Sequence, residues 1–163
     1  RNSAAANGWR KIPQPGRKPI SPSMPPIFFI IMPNQRIVVA DLNIPKVTYC
    51  DPEVASIGLT EAQAIAARGA DAVQSYDYNL AGNGKSEIIG TSGIIKVVRE
   101  KDGPVLGVHM IGPRATELVS QATLALRLEC TVEELIRTIQ AHPTMSEAVG
   151  EAAHAAHGAP IHM

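Results

Sequence analysis

Beyond residue 36 the sequence predicts an α+β fold, an antiparallel sheet packed with helices. Three observations support this. Apolar residues recur with strand spacing at 73–80 and in two runs flanking "KDGP". From residue 115 onward the spacing lengthens to that of amphipathic helices. The strand-type segments come as a group and the helix-type segments follow, an order that argues against an alternating βαβ array. The hydrophobic fraction of 45% supplies a core, and a domain of about 120 residues buries roughly two-thirds of its unfolded surface, enough to fold.

Taken in order, "RIVVAD" (36–41) fits either a strand edge or the end of a helix. "KVTYC" (46–50), rich in β-branched and aromatic residues, predicts a strand. In "DPEVASIGLTEAQAIAARGA", Thr60 and Gln63 form a T-x-x-Q capping box, Ala and Ile fill a helix, and Gly69 ends it. "VQSYDYNL" (73–80) alternates as a strand, and "AGNGKSE" reads as a loop. "GIIKVVRE" and "VLGVHMIG" predict a hairpin, with Gly103 in the turn. "ATELVSQATLALRLE" (115–129) predicts a helix, Thr131 with Glu134 caps a short one, "VEELIRTI", and "SEAVGEAAHAAHG" predicts a third that stops at Gly158.

The helix at 115–129 has an apolar arc of about 220°, formed by Leu118, Val119, Ala122, Leu124, Ala125, Leu126 and Leu128, where one sheet contact needs little over 100°. Two explanations stand: burial on two sides within one domain, or one side facing another chain.

Residues 1–36 are different in kind. They hold six Lys/Arg, no acid, and seven of the thirteen prolines. The prolines forbid long elements, and the expectation is a disordered or non-native segment preceding a domain at 37–163. A basic arm for nucleic acid is the alternative, disfavoured because no clustered aromatics or folded reading surface accompany the charge. The start at Arg1 suggests a fragment or processed product. Cys50 and Cys130 form no C-x-x-C pair, which argues against a zinc site or a redox dithiol. Such sparse cysteine usage suits a reducing, cytoplasmic setting. No apolar run approaches the roughly 18–20 residues that cross a bilayer, and the short run in "PIFFIIMP" lacks the features of a signal peptide. No membrane or nucleic-acid partner is expected.

The stretch "QAHPTMSEAVGEAAHAAHG" (140–158) admits two readings. In the first, Pro143 keeps the helix from starting earlier, Thr144 is the N-cap, and Glu147 completes a T-x-x-E capping box. In the second, Glu147 points back over the helix start and meets His142, giving an oriented imidazole that takes a proton near neutral pH. Spacing alone leaves both open.

"IPKVTYCDPEVASIGLTEAQA", "GNGKSE", "GVHMIGPRATEL" and "AHPTMSEAVGEAA" resemble, in order and spacing, the C-terminal dimerisation (interface) domain of the pyridine nucleotide-disulfide oxidoreductases. The resemblance runs from about Ile44 to the C-terminus. "HPTMSE" fits both lipoamide and glutathione reductases, while "GPRATEL" and "SEAVGEAA" look more like the dihydrolipoamide dehydrogenases. It implies oxidation of dihydrolipoamide through a redox disulfide, FAD and NAD, in a homodimer serving the lipoyl domains of a 2-oxoacid dehydrogenase complex. It also implies that His142 is the acid–base residue, that Glu147 orients it, and that His142 and Pro143 lie near the FAD of the partner subunit. The sequence departs from a complete enzyme: neither a G-x-G-x-x-G fingerprint nor the redox C-x-x-x-x-C is present. The chain alone is therefore expected to be inactive. The alternatives are a stand-alone, non-catalytic dimerisation module, or the interface domain of a glutathione or mercuric reductase.

The remaining candidates read as structural. His154 and His157, with Glu151 nearby, suit a solvated helix end better than a metal site. His109 sits in an apolar strand, Cys50 and Cys130 read as packing residues, and Met24, Met32, Met110, Met145 and Met163 form no stripe.

Overall fold

The computed structural model describes residues 28–32, 35–39, 41–159 and 161. Five strands form one antiparallel sheet: β3 (Lys46–Thr48), β4 (Glu53–Gly58), β5 (Val73–Asn79), β6 (Ile94–Glu100) and β7 (Val105–Gly112), in the spatial order β3-β4-β7-β6-β5. A separate two-stranded hairpin, β1 (Phe28–Met32) with β2 (Gln35–Val39), lies outside that sheet. It crosses the boundary that composition draws at residue 36, and of "RIVVAD" it takes Arg36 to Val39 as strand, while Asp41 opens a short 3-10 turn. Its partner run, "FFIIM", is continuously apolar and so carries no alternation to read. The basic, proline-rich residues 1–27 lie outside the described residues.

The helices are α1 (Glu61–Arg68), α2 (Gly84–Ile89), α3 (Ala115–Arg127), α4 (Val132–Arg137) and α5 (Glu147–Ala156). The α+β class stands, with an antiparallel sheet packed by helices, although α1 and α2 fall between strands. Rows of residues set opposite one another build the main core. Ala55, Met110, Ile95 and Tyr78 form one row, and Ile57, Val108 and Val97 the next, with the half-buried Tyr76 at its end. Onto this face α3 brings Leu118, Val119, Ala122 and Ala125, and α5 brings Ala148, Val149, Ala152 and Ala153. A smaller cluster of Leu59, Ala64, Val98 and Leu106 lies under α1.

Two capping boxes form as the sequence predicts, Thr60 with Gln63 and Thr131 with Glu134. Three local expectations change. β4 was not foreseen, because "EVASIG" dilutes its two inward residues, Ala55 and Ile57, with small neighbours. "GNGKSE" is no loop: Asn83 caps α2 by accepting the Ser86 N–H at 3.0 Å. In the β6–β7 turn, Asp102 takes the left-handed conformation at φ 56°, while Gly103 does not. Gly58 is required where it stands: its φ is 79°, and a β-carbon would run into the Leu106 backbone oxygen.

The apolar arc at 115–129 divides in two. Leu118, Val119, Ala122 and Ala125 are buried within the domain, whereas Leu124 and Leu128 remain 60% and 66% exposed. Arg114 occupies the N-cap of α3 at φ 59° without a side-chain cap. Glu53 of β4 replaces it, accepting the Thr116 N–H at 2.9 Å and its hydroxyl at 2.6 Å. These two hydrogen bonds, helped by the Arg114 charge, hold the Glu53 carboxyl below its ordinary value. A carboxyl lowered on folding stabilises above its unfolded pKa, and that contribution is lost as pH falls through the folded one. Glu53→Gln should thus destabilise the chain by about 1 kcal/mol at neutral pH, the usual loss of a helix cap. The difference from wild type should shrink below pH 4.5, the ordinary carboxyl value, when urea unfolding is compared at both pH values.

Candidate active site

The turn between α4 and α5 carries the candidate dyad, and its backbone is held from both sides. The Thr144 N–H donates to Glu147 Oε2 at 2.7 Å, and the Thr144 carbonyl accepts from Asn83 Nδ2 at 3.2 Å. Thr144 does not cap α5 as the spacing predicts. Its hydroxyl turns back to the Ala141 carbonyl at 2.6 Å, the helix starts only at Glu147, and Ser146 holds the N-cap position. Half of the capping box therefore forms, the half made by the glutamate. Met145 is buried beneath, where its sulfur accepts from the Ser86 hydroxyl at 3.6 Å.

With Oε2 occupied, Glu147 Oε1 faces His142 Nδ1 at 2.9 Å. A carboxylate only accepts, so Nδ1 carries the hydrogen and Nε2 is the basic nitrogen of the neutral ring. The His142–Pro143 peptide is cis. The His142 side chain is 77% exposed and that of Glu147 25%. An ion pair so open to water contributes little stability; its consequence is to fix the tautomer and aim the ring. Beside it lies a cavity of about 440 Å³ whose lining includes Tyr78, Asn83, Glu87, His142, Glu147 and Glu151.

Residues 44–153 match the family described as pyridine nucleotide-disulphide oxidoreductase, dimerisation domain, a span that takes in the whole of this turn. The chain belongs to that family. A dihydrolipoyl dehydrogenase of Bacillus subtilis (strain 168) is 46% identical over 121 residues, covering 73% of this chain and 25% of that protein. The mitochondrial dihydrolipoyl dehydrogenase of Pisum sativum is 39% identical over 122 residues, covering 74% and 24%. Among solved structures, LpdA of Mycobacterium tuberculosis shares the fold with a TM-score of 0.67, at 24% identity over 73% of this chain and 26% of that one. The chain thus spans about a quarter of the length of the curated relatives it matches.

The dimerisation domain brings His142 and Glu147 together and leaves the other candidates apart from them. His109 is structural: its Nε2–H donates to the Leu59 carbonyl at 3.0 Å and Nδ1 accepts the Ser56 hydroxyl at 2.6 Å. His157 pairs with Glu133 of α4 at 3.0 Å, while Glu151 lines the cavity beside the dyad. No cluster of three or more metal-ligating side chains occurs among the described residues, and none of their helices is long and apolar enough to cross a membrane. Cys130 packs against the core, and burial pushes its thiol pKa up. Cys50, read as a packing residue, is instead exposed, its thiol donating to the Pro52 carbonyl at 3.0 Å. Sequence reasoning missed Asn83, Ser86 and Tyr78, although an asparagine three residues before Ser86 is itself a helix-start signal.

Glu147→Ala removes the anchor of the Thr144 N–H together with the partner of His142, and should cost about 1 kcal/mol. Glu147→Gln keeps an amide oxygen for that N–H and should cost clearly less. Thermal unfolding of the two variants side by side measures the difference.

Proposed function

We propose that this chain is the dimerisation domain of a dihydrolipoamide dehydrogenase, in which His142 is the acid–base residue and Glu147 orients it. The observation that carries this is the shared carboxylate: Glu147 fixes the turn through one oxygen and His142 Nδ1 through the other, leaving Nε2 basic. A thiol with the pKa of free cysteine, about 8.5, is mostly protonated at neutral pH, and it is the thiolate that attacks a disulfide. His142 Nε2 takes the proton of a dihydrolipoamide thiol. The thiolate then attacks a redox disulfide of the enzyme, forming a mixed disulfide and releasing one cysteine sulfur. The second substrate thiol passes its proton to that released cysteine thiolate and attacks the mixed disulfide, closing the lipoamide ring and expelling the other cysteine as a thiolate, so that the enzyme disulfide is left reduced. The imidazolium is held meanwhile by the Glu147 carboxylate.

The cofactors of such an enzyme are FAD and NAD, which when bound carry the electrons away from the reduced disulfide. This chain supplies no dinucleotide fingerprint for either. What it offers is the exposed edge at His142 and Pro143, suited to facing the FAD and disulfide of a partner subunit in a homodimer. The substrate would arrive on the lipoyl domains of a 2-oxoacid dehydrogenase complex, in a cytoplasm that keeps thiols reduced.

In the complete polypeptide carrying this domain, His142→Gln should slow dihydrolipoamide oxidation by about 10²–10⁴-fold, the usual scale for a general base. Glu147→Gln should slow it less, since the imidazole survives without its charged partner. A Glu147→Gln enzyme with altered thermal stability and unchanged turnover would reduce the carboxylate to a backbone anchor. Steady-state kinetics with dihydrolipoamide decide between these.

Dimerisation has its own test. Leu124 and Leu128 stand one helical turn apart and are exposed, the arrangement a twofold partner would cover. A twofold contact presents the same patch on both subunits, so one substitution acts twice. Leu124→Asp or Leu128→Asp should shift the chain towards monomer with its secondary structure kept, as followed by sedimentation and circular dichroism. A wild-type chain that stays monomeric at high concentration would rule out this surface.

A further inference from the structure

The residues that open α2 clasp the dyad turn from outside, and the acid–base chemistry gives that clasp no task. Asn83 is 3% exposed, yet both of its backbone groups and both ends of its amide are engaged. Its N–H donates to the Leu80 carbonyl at 2.9 Å, and its carbonyl accepts the Glu87 N–H at 3.1 Å. Leu80 is anchored in turn, its own N–H donating to the Gly93 carbonyl at 2.9 Å just before β6. In the Asn83 side chain, Oδ1 accepts the Ser86 N–H at 3.0 Å and Nδ2 donates to the Thr144 carbonyl at 3.2 Å. An N–H only donates and a carbonyl only accepts, so these two partners fix which end of the amide is oxygen. One residue further along, the buried Ser86 hydroxyl reaches the Met145 sulfur at 3.6 Å.

Thr144 is thereby held on both sides, its carbonyl by Asn83 and its N–H by Glu147 Oε2. The other oxygen of that carboxylate meets His142 Nδ1, so an unbroken run of hydrogen bonds leads from α2 to the imidazole. An amide suits both ends of the clasp at once. Aspartate would cap α2 as well, but a carboxylate has no hydrogen for the Thr144 carbonyl. Serine, one bond shorter, reaches the cap and not Thr144.

We propose that Asn83 is a positioning residue of the dyad: by holding the Thr144 carbonyl while it caps α2, it sets the turn so that Glu147 Oε1 lies on His142 Nδ1 and keeps the hydrogen there. With the clasp cut, the peptide groups around Thr144 regain their rotation, and the carboxylate loses its fixed position against the ring. The imidazole then distributes its hydrogen as a free histidine does. Nε2, the nitrogen that must be bare to take a proton, carries it more often. The consequence for turnover rests on the acid–base function proposed above, but the coupling itself does not.

The test uses Asn83→Asp and Asn83→Ser in the full 163-residue chain, both of which keep a cap for α2, with circular dichroism to follow the fold. The imidazole nitrogen resonances of His142, assigned by comparison with His142→Gln, report by NMR at mildly alkaline pH which nitrogen of the neutral ring carries the hydrogen. Wild type should show mainly Nδ1–H. In both variants the ratio of Nε2–H to Nδ1–H should rise by about fivefold, the equilibrium factor that one hydrogen bond of ordinary net strength is worth. In a Glu147→Gln background the effect should vanish, because Asn83 acts through that carboxylate. An unchanged ratio in the folded variants would overturn the proposal, and so would an undiminished effect in the double variant. Loss of the fold in both single variants would overturn it too, by making Asn83 a support of the whole domain and not of the dyad. In the complete enzyme carrying Asn83→Ser, kcat for dihydrolipoamide should fall along with the Nδ1–H fraction. If the ratio moves and kcat does not, the coupling stands and the catalytic role of His142 fails.

Discussion

Glu147 receives the Thr144 N–H on Oε2 and the His142 Nδ1–H on Oε1, so one side chain closes the backbone turn and fixes the imidazole beside it. Two hydrogen bonds to a carboxylate at the first residue of a helix are favoured by the helix dipole as well as by charge. The arrangement leaves the histidine no choice of tautomer, because a carboxylate has no hydrogen to offer. It also means that holding the turn and holding the imidazole do not compete for the residue, since they use different oxygens of it. A substitution that spares one oxygen's role can therefore expose the other.

The turn is built on closely packed surroundings. Helix α5 lies close to β5 and β6 through Ala148, Val149, Ala152 and Ala153, all buried, and small side chains allow a helix to approach a sheet closely. On the opposite side Asn83, 3% exposed, receives the start of α2 with its oxygen and holds Thr144 with its nitrogen. Burial falls from this frame outward to His142. Rigid support with an open reactive group is what a residue needs if it must meet a group from outside the domain.

Much of the fold was legible because its signals are local. Capping boxes at Thr60 and Thr131 and the hairpin around residues 101–104 each depend on a few adjacent residues. β4 was illegible because Ala55 and Ile57 are too few, among small neighbours, to mark an alternation. At the site, the spacing of His142 and Glu147 was visible, but not how the carboxylate divides its oxygens. That division depends on Thr144 turning its hydroxyl to Ala141, and Asn83 reaches Thr144 from 61 positions away. Tyr78 was invisible for the same reason: a tyrosine in an alternating strand gives no sign that it will line the cavity beside the dyad.

On the proposed function, the exposed base and the exposed leucines share one explanation. An imidazole 77% open to water is poorly placed for selective proton transfer, because a surrounding high dielectric weakens every charge it must respond to. A general base gains its force when the site around it closes and excludes water. Among the described residues nothing covers His142, just as nothing covers Leu124 or Leu128. A second subunit would supply both covers at once, drying the imidazole with one part of its surface and the leucines with another. On that proposal assembly would switch the acid–base pair on, and a dimer weakened at the leucines would lose activity without any change in the dyad's own geometry.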